Sequence, residues 1–303
     1  MKYLCLQPFH RSSYQMVPES PEPVILTQNH TDMLNRFLMP RAESSLVLLS
    51  NAMLGGLEYR GETFQGTYAA YPGDNAITGV AAHYWNGMVF FQAPKNPAGL
   101  FHAVVSASGR ECTGIAGPYD QVQQVLPGIL TKNHLPALNS RDTLFSLDLD
   151  MLAIPGLLQR GEVTCRYPAD DEIPKMIEMR IAFMRELTGL DTRVSREDEA
   201  REIVRYQQQT NNHWLLEAGG KIVATSAISA GIPEVVQIGG VYTLPEYRNR
   251  GFGRAVVAGS LLYARARGVK KAILFTGTDM PAAQKVYTAL GFRPIGEYGL
   301  VIF

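Results

Sequence analysis

The spacing of apolar positions changes in a fixed order along the chain, and then changes again in the same order. Val24-Ile25-Leu26 follows a lead-in punctuated by Pro18, Pro21 and Pro23 and predicts a short strand. His30-Thr31-Asp32 resembles a helix start, with Met33, Phe37 and Leu38 on its apolar face. A second helix is predicted over 44–54, closed by Gly55-Gly56. The period then falls to two. Strands are predicted over 63–71, 76–84 and 88–92, separated by the turn Pro72-Gly73-Asp74-Asn75 and the hairpin dipeptide Asn86-Gly87. A helix over 98–108, a strand over 114–118 and a helix over 119–130 follow. The run 144–152 alternates Leu147, Leu149 and Met151 against Ser146, Asp148 and Asp150, as a half-buried strand does.

The second half repeats the order. Residues 162–167 predict a strand. Asp170-Asp171 opens a helix whose stripe is Ile173, Ile177, Ile181 and Met184, and Pro174 is tolerated in its first turn. Ser195 is placed as the N-cap of a polar helix through 208. Strands over 213–218, 221–229 and 235–243, a helix over 251–267 stopped by Gly268, a strand over 271–276, a helix over 281–290 and a strand over 295–303 complete it. Each half reads strand, two helices, three strands, helix, strand, helix, strand. This predicts two tandem α/β units of one fold, 1–158 and 159–303.

The chemistry concentrates after the strand over 235–243. Val241-Tyr242-Thr243-Leu244-Pro245 ends that strand, and Arg248-Asn249-Arg250-Gly251-Phe252-Gly253-Arg254 leads into a helix. A helix N-terminus leaves backbone N–H groups unpaired and favours anions. Gly251 and Gly253 would let a phosphate approach the backbone. Three arginines at this end oppose the helix dipole unless an anion sits there. The Gly-Lys-Ser/Thr of a Walker loop is absent. The dinucleotide fingerprint also fails, because Val256 stands at its third small position and 270–276 has no carboxylate.

Arg248 through Gly253 resembles the acetyl-CoA pyrophosphate loop of the GNAT acyltransferase superfamily, Arg/Gln-x-x-Gly-x-Gly/Ala. A second block, Ala283 to Phe292 with Tyr287, Leu290 and Gly291, resembles that family's later helix and final strand. The resemblance covers 159–303 and, with the repeated element order, implies two tandem GNAT-like α/β domains, each a central mixed, mostly antiparallel sheet flanked by helices. In 1–158 the corresponding loop is Pro94-Lys95-Asn96-Pro97-Ala98-Gly99, so that unit resembles the fold in layout only, as a copy degenerate for cofactor binding.

The resemblance implies an N-acetyltransferase that moves an acetyl group from acetyl-CoA to an amine by direct attack. It implies cofactor contacts along Val241, Tyr242 and Thr243 and around Arg248, Asn249, Arg250, Gly251, Phe252, Gly253 and Arg254. It also implies Tyr287 as general acid to the departing thiolate. Two departures stand out. No carboxylate lies on 235–241, which leaves Glu234, Glu217, Glu186, Asp191 or a water relay as candidates for the base. Met280 occupies the position, seven before the tyrosine, where the family commonly has a cofactor-contacting asparagine. The alternative these departures favour is a non-catalytic acyl-CoA-binding or regulatory module. A third reading makes the first half mainly an interaction surface.

Composition narrows the partners. Lys+Arg and Asp+Glu are 28 each, so no basic excess points to nucleic acid or an anionic membrane, and a small-molecule or peptide amine acceptor is expected. No run of about 18 apolar residues suggests a membrane span. The scattered Cys5, Cys112 and Cys165 suit free buried thiols in a reducing cytoplasm. His10, His30, His83, His102, His134 and His213 show no ligand spacing, and no metal is expected. Asp148 with Asp150 reads as a solvated strand face, Trp85 and Trp214 as core rather than substrate platforms, and Tyr68, Tyr71 and Tyr84 as packing residues or as the lining of a cleft between the halves.

Overall fold

The structure is a computed structural model and describes residues 21–130, 135–189 and 195–303. Its first half runs β1 (Val24–Ile25), α1 (Thr31–Leu38), α2 (Ala42–Gly55), β2 (Gly66–Gly73), β3 (Ala76–Tyr84), β4 (Met88–Gln92), α3 (Pro97–Ser108), β5 (Gly114–Pro118), α4 (Tyr119–Val125) and β6 (Leu138–Asp148). A one-turn helix α5 (Gly156–Gln159) connects the halves. The second half runs β7 (Thr164–Arg166), α6 (Ile173–Thr188), α7 (Ser195–Gln209), β8 (His213–Ala218), β9 (Lys221–Ile232), β10 (Val235–Thr243), α8 (Phe252–Ala266), β11 (Lys271–Gly277), α9 (Pro281–Thr288) and β12 (Arg293–Ile302). The repeated order read from the sequence is therefore present element for element.

The pairing was not legible in advance. Among the described residues, twelve strands form one mixed sheet in the order β1-β2-β3-β4-β5-β12-β6-β11-β10-β9-β8-β7. The last strand of each half has crossed into the other. β12 pairs antiparallel with β5 (Leu300 opposite Ala116), and β6 pairs antiparallel with β11 (Leu274 opposite Phe145). β6 and β12 also pair with each other in the middle. The parallel neighbours β4–β5 and β10–β11 each pair over only three residues, Met88 to Phe90 and Val235 to Gln237, and then part. Each half thus has one wedge in the sheet.

Side chains alternate across the strands, so each face packs its own helices. Ala272, Leu274, Phe145 and Leu147 join a core around α8, while Ile273, Leu144 and Tyr298 join a core around α1 and α2. The sequence alternation marks β6 as half-buried, but it is a central strand covered on both sides. It also starts earlier and ends sooner than its pattern predicts. The Leu149 N–H turns to the Lys270 carbonyl at 2.8 Å, and Leu149–Met151 becomes a 3-10 turn that buries Leu149 and leaves Met151 exposed.

α8 lies close against the sheet because its inner face is small. Ala255, Ala258, Gly259, Ser260 and Ala264 are buried there, and a β-carbon on Gly259 would collide with Cys165 on β7. Larger residues fill the remaining space, and burying a side chain such as Leu261 contributes roughly 1.5–3 kcal/mol. Burial pushes the Cys165 thiol up to about 12 and Cys112 up to about 11, so both free cysteines are protonated packing groups. Cys5 lies outside the described residues.

α7 ties the second half to the first. Phe64 packs its ring on Tyr206 (4.4 Å) and Trp85 (4.9 Å), and Asn86 Nδ2 donates to Glu199 at 3.3 Å. Tyr68 and Tyr84 are fully buried with their hydroxyls 3.2 Å apart, and Trp214 is fully buried, so these aromatics are core. Among the described residues, no helix is long and apolar enough to cross a membrane.

Candidate active site

The second half's wedge opens directly onto the loop singled out by sequence. β10 keeps its pairing with β9 but leaves β11 after Gln237, so the backbone from Ile238 to Thr243 faces the gap on one side. A bulge between Gly239 and Tyr242 re-aims the strand there. Gly240 sits in it at φ +61°, which L side chains rarely adopt. Pro245–Tyr247 then makes a 3-10 turn, Asn249 and Gly251 take positive φ, and α8 starts at Phe252.

No side chain caps the N-terminus of α8. Its first-turn N–H groups therefore point out of the helix at the mouth of the wedge. A β-carbon on Gly253 would come within 3.2 Å of Thr243 Oγ1, so this turn lies close against the end of β10. Arg254 keeps its Nε buried without a hydrogen-bond partner, and Arg250 stands over the Tyr247 ring. Bare amides, glycines and an orphaned guanidinium N–H together suit a bound anion.

Residues 181–292 match the model of the Acetyltransferase (GNAT) family. This part of the chain is a GNAT-family domain. No curated protein matches the chain in sequence. Solved structures resemble it along nearly its whole length. A Drosophila melanogaster protein shares 11% identity over 93% of this chain and 99% of its own, with a TM-score of 0.65. A GNAT-family acetyltransferase from Colwellia psychrerythraea shares 12% over 93% and 99%, at 0.53. A tandem GNAT protein from the clavulanic acid biosynthesis pathway shares 13% over 92% and 97%, at 0.54. These likenesses extend the GNAT-type fold across both halves.

The first half's equivalent of the GNAT loop is built differently. Asn96, at φ +47°, caps α3 by accepting the Gly99 N–H at 3.1 Å. The Tyr71 hydroxyl fills the remaining space, donating to the Asn96 carbonyl at 3.3 Å, where a β-carbon on Gly99 would collide with it. A cavity of about 1030 Å³ does lie at this half's wedge, between Gln92, Pro118, Leu144 and Lys271. Two carboxylates on its wall are already engaged, Glu43 by Lys271 at 2.8 Å and Glu297 by Arg141 at 2.7 Å.

Several predicted site residues have definite partners. Arg248 turns back from the loop, binds both carboxylate oxygens of Glu186 at 2.8 and 2.9 Å, and donates to the Thr243 carbonyl at 3.1 Å. The Tyr242 hydroxyl donates to the same Glu186 at 2.9 Å. Glu186 thereby fastens the end of α6 to the loop. Glu217 is held by Arg166 at 2.8 Å, and Glu234 lies before β10, at the end remote from the loop. Asp191 lies outside the described residues. Gln237, buried on β10, donates from Nε2 to Ser229 Oγ at 3.0 Å.

Tyr287 on α9 packs its ring on Phe145 (6.3 Å) and Phe292 (6.0 Å). Its hydroxyl has no hydrogen-bond partner among the described residues, and burial pushes it up to about 12. Phe145 belongs to β6, so a first-half residue packs against Tyr287. Met280, where the family commonly has asparagine, is exposed.

Sequence reading passed over Arg180 and His213. Arg180 Nη1 lies 3.1 Å from where a β-carbon on Gly240 would stand, beside the bulge. His213 on β8 is buried. Thr225 Oγ1 gives its one proton to the Trp214 carbonyl (3.0 Å), so it accepts from His213 Nε2 (2.7 Å), and His213 Nδ1 is left bare and unpartnered. Burial, helped by the nearby Arg180 charge, pushes His213 down to about 4 and keeps it neutral. The signal for Arg180 was available in the sequence. It stands three residues after Ile177 and seven after Ile173, a charge set into the apolar stripe of α6.

Proposed function

We propose that residues 159–303 form an N-acetyltransferase unit that takes acetyl-CoA and transfers the acetyl group directly to an amine, residues 1–158 being a copy without a cofactor site. The contrast between the two equivalent helix starts carries this reading. The α8 N-terminus is uncapped at an open wedge, while the α3 N-terminus is filled by Asn96 and Tyr71.

Acetyl-CoA would supply an activated acyl thioester. Val241, Tyr242 and Thr243 offer backbone groups on the free side of β10, in the manner of strand addition. Gly251, Phe252, Gly253 and Arg254 offer amides and a guanidinium to the pyrophosphate, with Arg250 beside them. Asn249 shapes the loop through its positive φ, and Arg248 holds its register through Glu186. An N–H of Val241 or Tyr242 would donate to the carbonyl oxygen as negative charge develops, an interaction worth a few kcal/mol. The amine nitrogen forms its bond to the acyl carbon as the carbon–sulfur bond breaks, and Tyr287 delivers its hydroxyl proton to the leaving sulfur. The amine's own proton leaves through water, since no carboxylate lies on β10.

Tyr287→Phe is expected to lower kcat roughly a hundredfold without changing acetyl-CoA affinity. Steady-state thiol release and calorimetry on the same samples check both halves of that statement. An unchanged kcat removes Tyr287 from the mechanism. Because burial holds the hydroxyl at about 12, the wild-type rate should show no loss from tyrosine ionisation below about pH 11. The exposed Met280 favours a second reading, an acyl-CoA-binding module without turnover. Tight acetyl-CoA binding with no thiol release across amine panels would support it.

A further inference from the structure

We propose that the amine acceptor carries a carboxylate, as a free amino acid does, and that Arg180 is the residue that recognises it. The proposal rests on the acetyltransferase reading above and assigns the substrate class of the same site.

Arg180 comes from α6 and reaches the bulge of β10 at Gly240, on the face opposite α8. It therefore approaches the opening of the wedge from the side away from α8. The side chain is half-buried, yet among the described residues it makes no hydrogen bond and no ion pair within 4 Å. Its neighbours do not neutralise it. Glu199 attracts it from beyond ion-pair distance and is instead engaged by Asn86. Phe183 lies under the guanidinium at 5.5 Å, and His213 is neutral. Of the arginines near the loop, Arg248 is bidentate on Glu186, Arg250 is exposed over Tyr247, and Arg254, whose Nε is also unpartnered, stands at the start of α8 on the proposed cofactor side.

Withdrawing a charge from water costs several kcal/mol unless a counter-charge meets it. A guanidinium presents two parallel donors that match the two oxygens of a carboxylate. One unmatched positive charge calls for one negative charge, which fits a monocarboxylate better than a phosphate dianion. The buried His213 nearby is neutral and keeps its Nδ1 unpartnered, so it leaves the charge of Arg180 unanswered.

The test uses acceptors that differ only in this group: glycine against glycinamide, phenylalanine against phenylalaninamide, and glutamine against its α-amide, each with the full chain and saturating acetyl-CoA. At least one free amino acid should exceed its amide by about a hundredfold in kcat/KM. Arg180→Gln should bring that ratio close to one through KM while leaving the amide rate within about threefold, and Arg180→Lys should restore part of the preference. Acids and amides used equally by the wild type, or an Arg180→Gln variant that loses both alike, would overturn the proposal. If no pair releases thiol, calorimetry with the same pairs on the acetyl-CoA-loaded chain reads the same preference. An acid bound no tighter than its amide overturns the assignment of Arg180. Failure to bind acetyl-CoA at all counts instead against the acetyltransferase reading.

Discussion

Gly253→Arg is expected to weaken acetyl-CoA binding roughly a thousandfold, or about 4 kcal/mol, while the thermal midpoint moves by only a few degrees. Gly253 is the second residue of α8, and its missing side chain is what keeps the first-turn amides open beside Thr243. A long side chain there would lie across them. Each backbone N–H bond to a charged group contributes about 1.5–3 kcal/mol, so losing two accounts for the effect. Calorimetric titration of the variant against wild type measures it. Unaltered affinity would show that the cofactor does not sit on α8. Gly253→Ala should fall between the two, because 3.2 Å to Thr243 Oγ1 is tight but tolerable.

Producing residues 1–158 and 159–303 separately should yield no cooperatively folded species from either, whereas producing them together should restore a complex. Without the first half, β11 loses β6 as its neighbour, and Phe145 and Leu147 leave the core around α8. Truncating one such side chain to alanine already costs about 2–5 kcal/mol, and an ordinary domain has only about 5–15 kcal/mol in total. Without the second half, β5 faces water where β12 should lie. Circular dichroism melts of each fragment and of the pair read the outcome. A monomeric 159–303 with a sharp transition and bound acetyl-CoA would refute the interdependence. The division near residue 158 is thus proposed as a division of function, laid over a sheet that both halves complete.

The order of elements was legible because local signals specify it: apolar period, prolines and glycines at ends, and turn dipeptides. The proposed cofactor loop stood out in the sequence because three arginines at the start of a helix conflict with its dipole. What sequence could not show is who sits beside whom. The alternation in β6 states which side chains share a face, but it carries no address for β11. Arg248 reads as a free cation beside two glycines, yet its partner Glu186 is 62 residues earlier. Arg180 was hidden by the opposite error, since a charge in an apolar stripe is easily passed over as an interruption. Tyr71 gave no hint that its hydroxyl would close the first half's helix start.

The crossing of β12 into the first half also imposes an order in time. β12 follows the other described strands, so during synthesis the first half waits with β5 uncovered until residues 293–302 have left the ribosome. β6, made much earlier, must likewise wait for β11. Neither wedge can take its final shape before β12 is made. A message cut short before β12 therefore produces two damaged halves, and the site becomes available only to a chain that has been translated through residue 302.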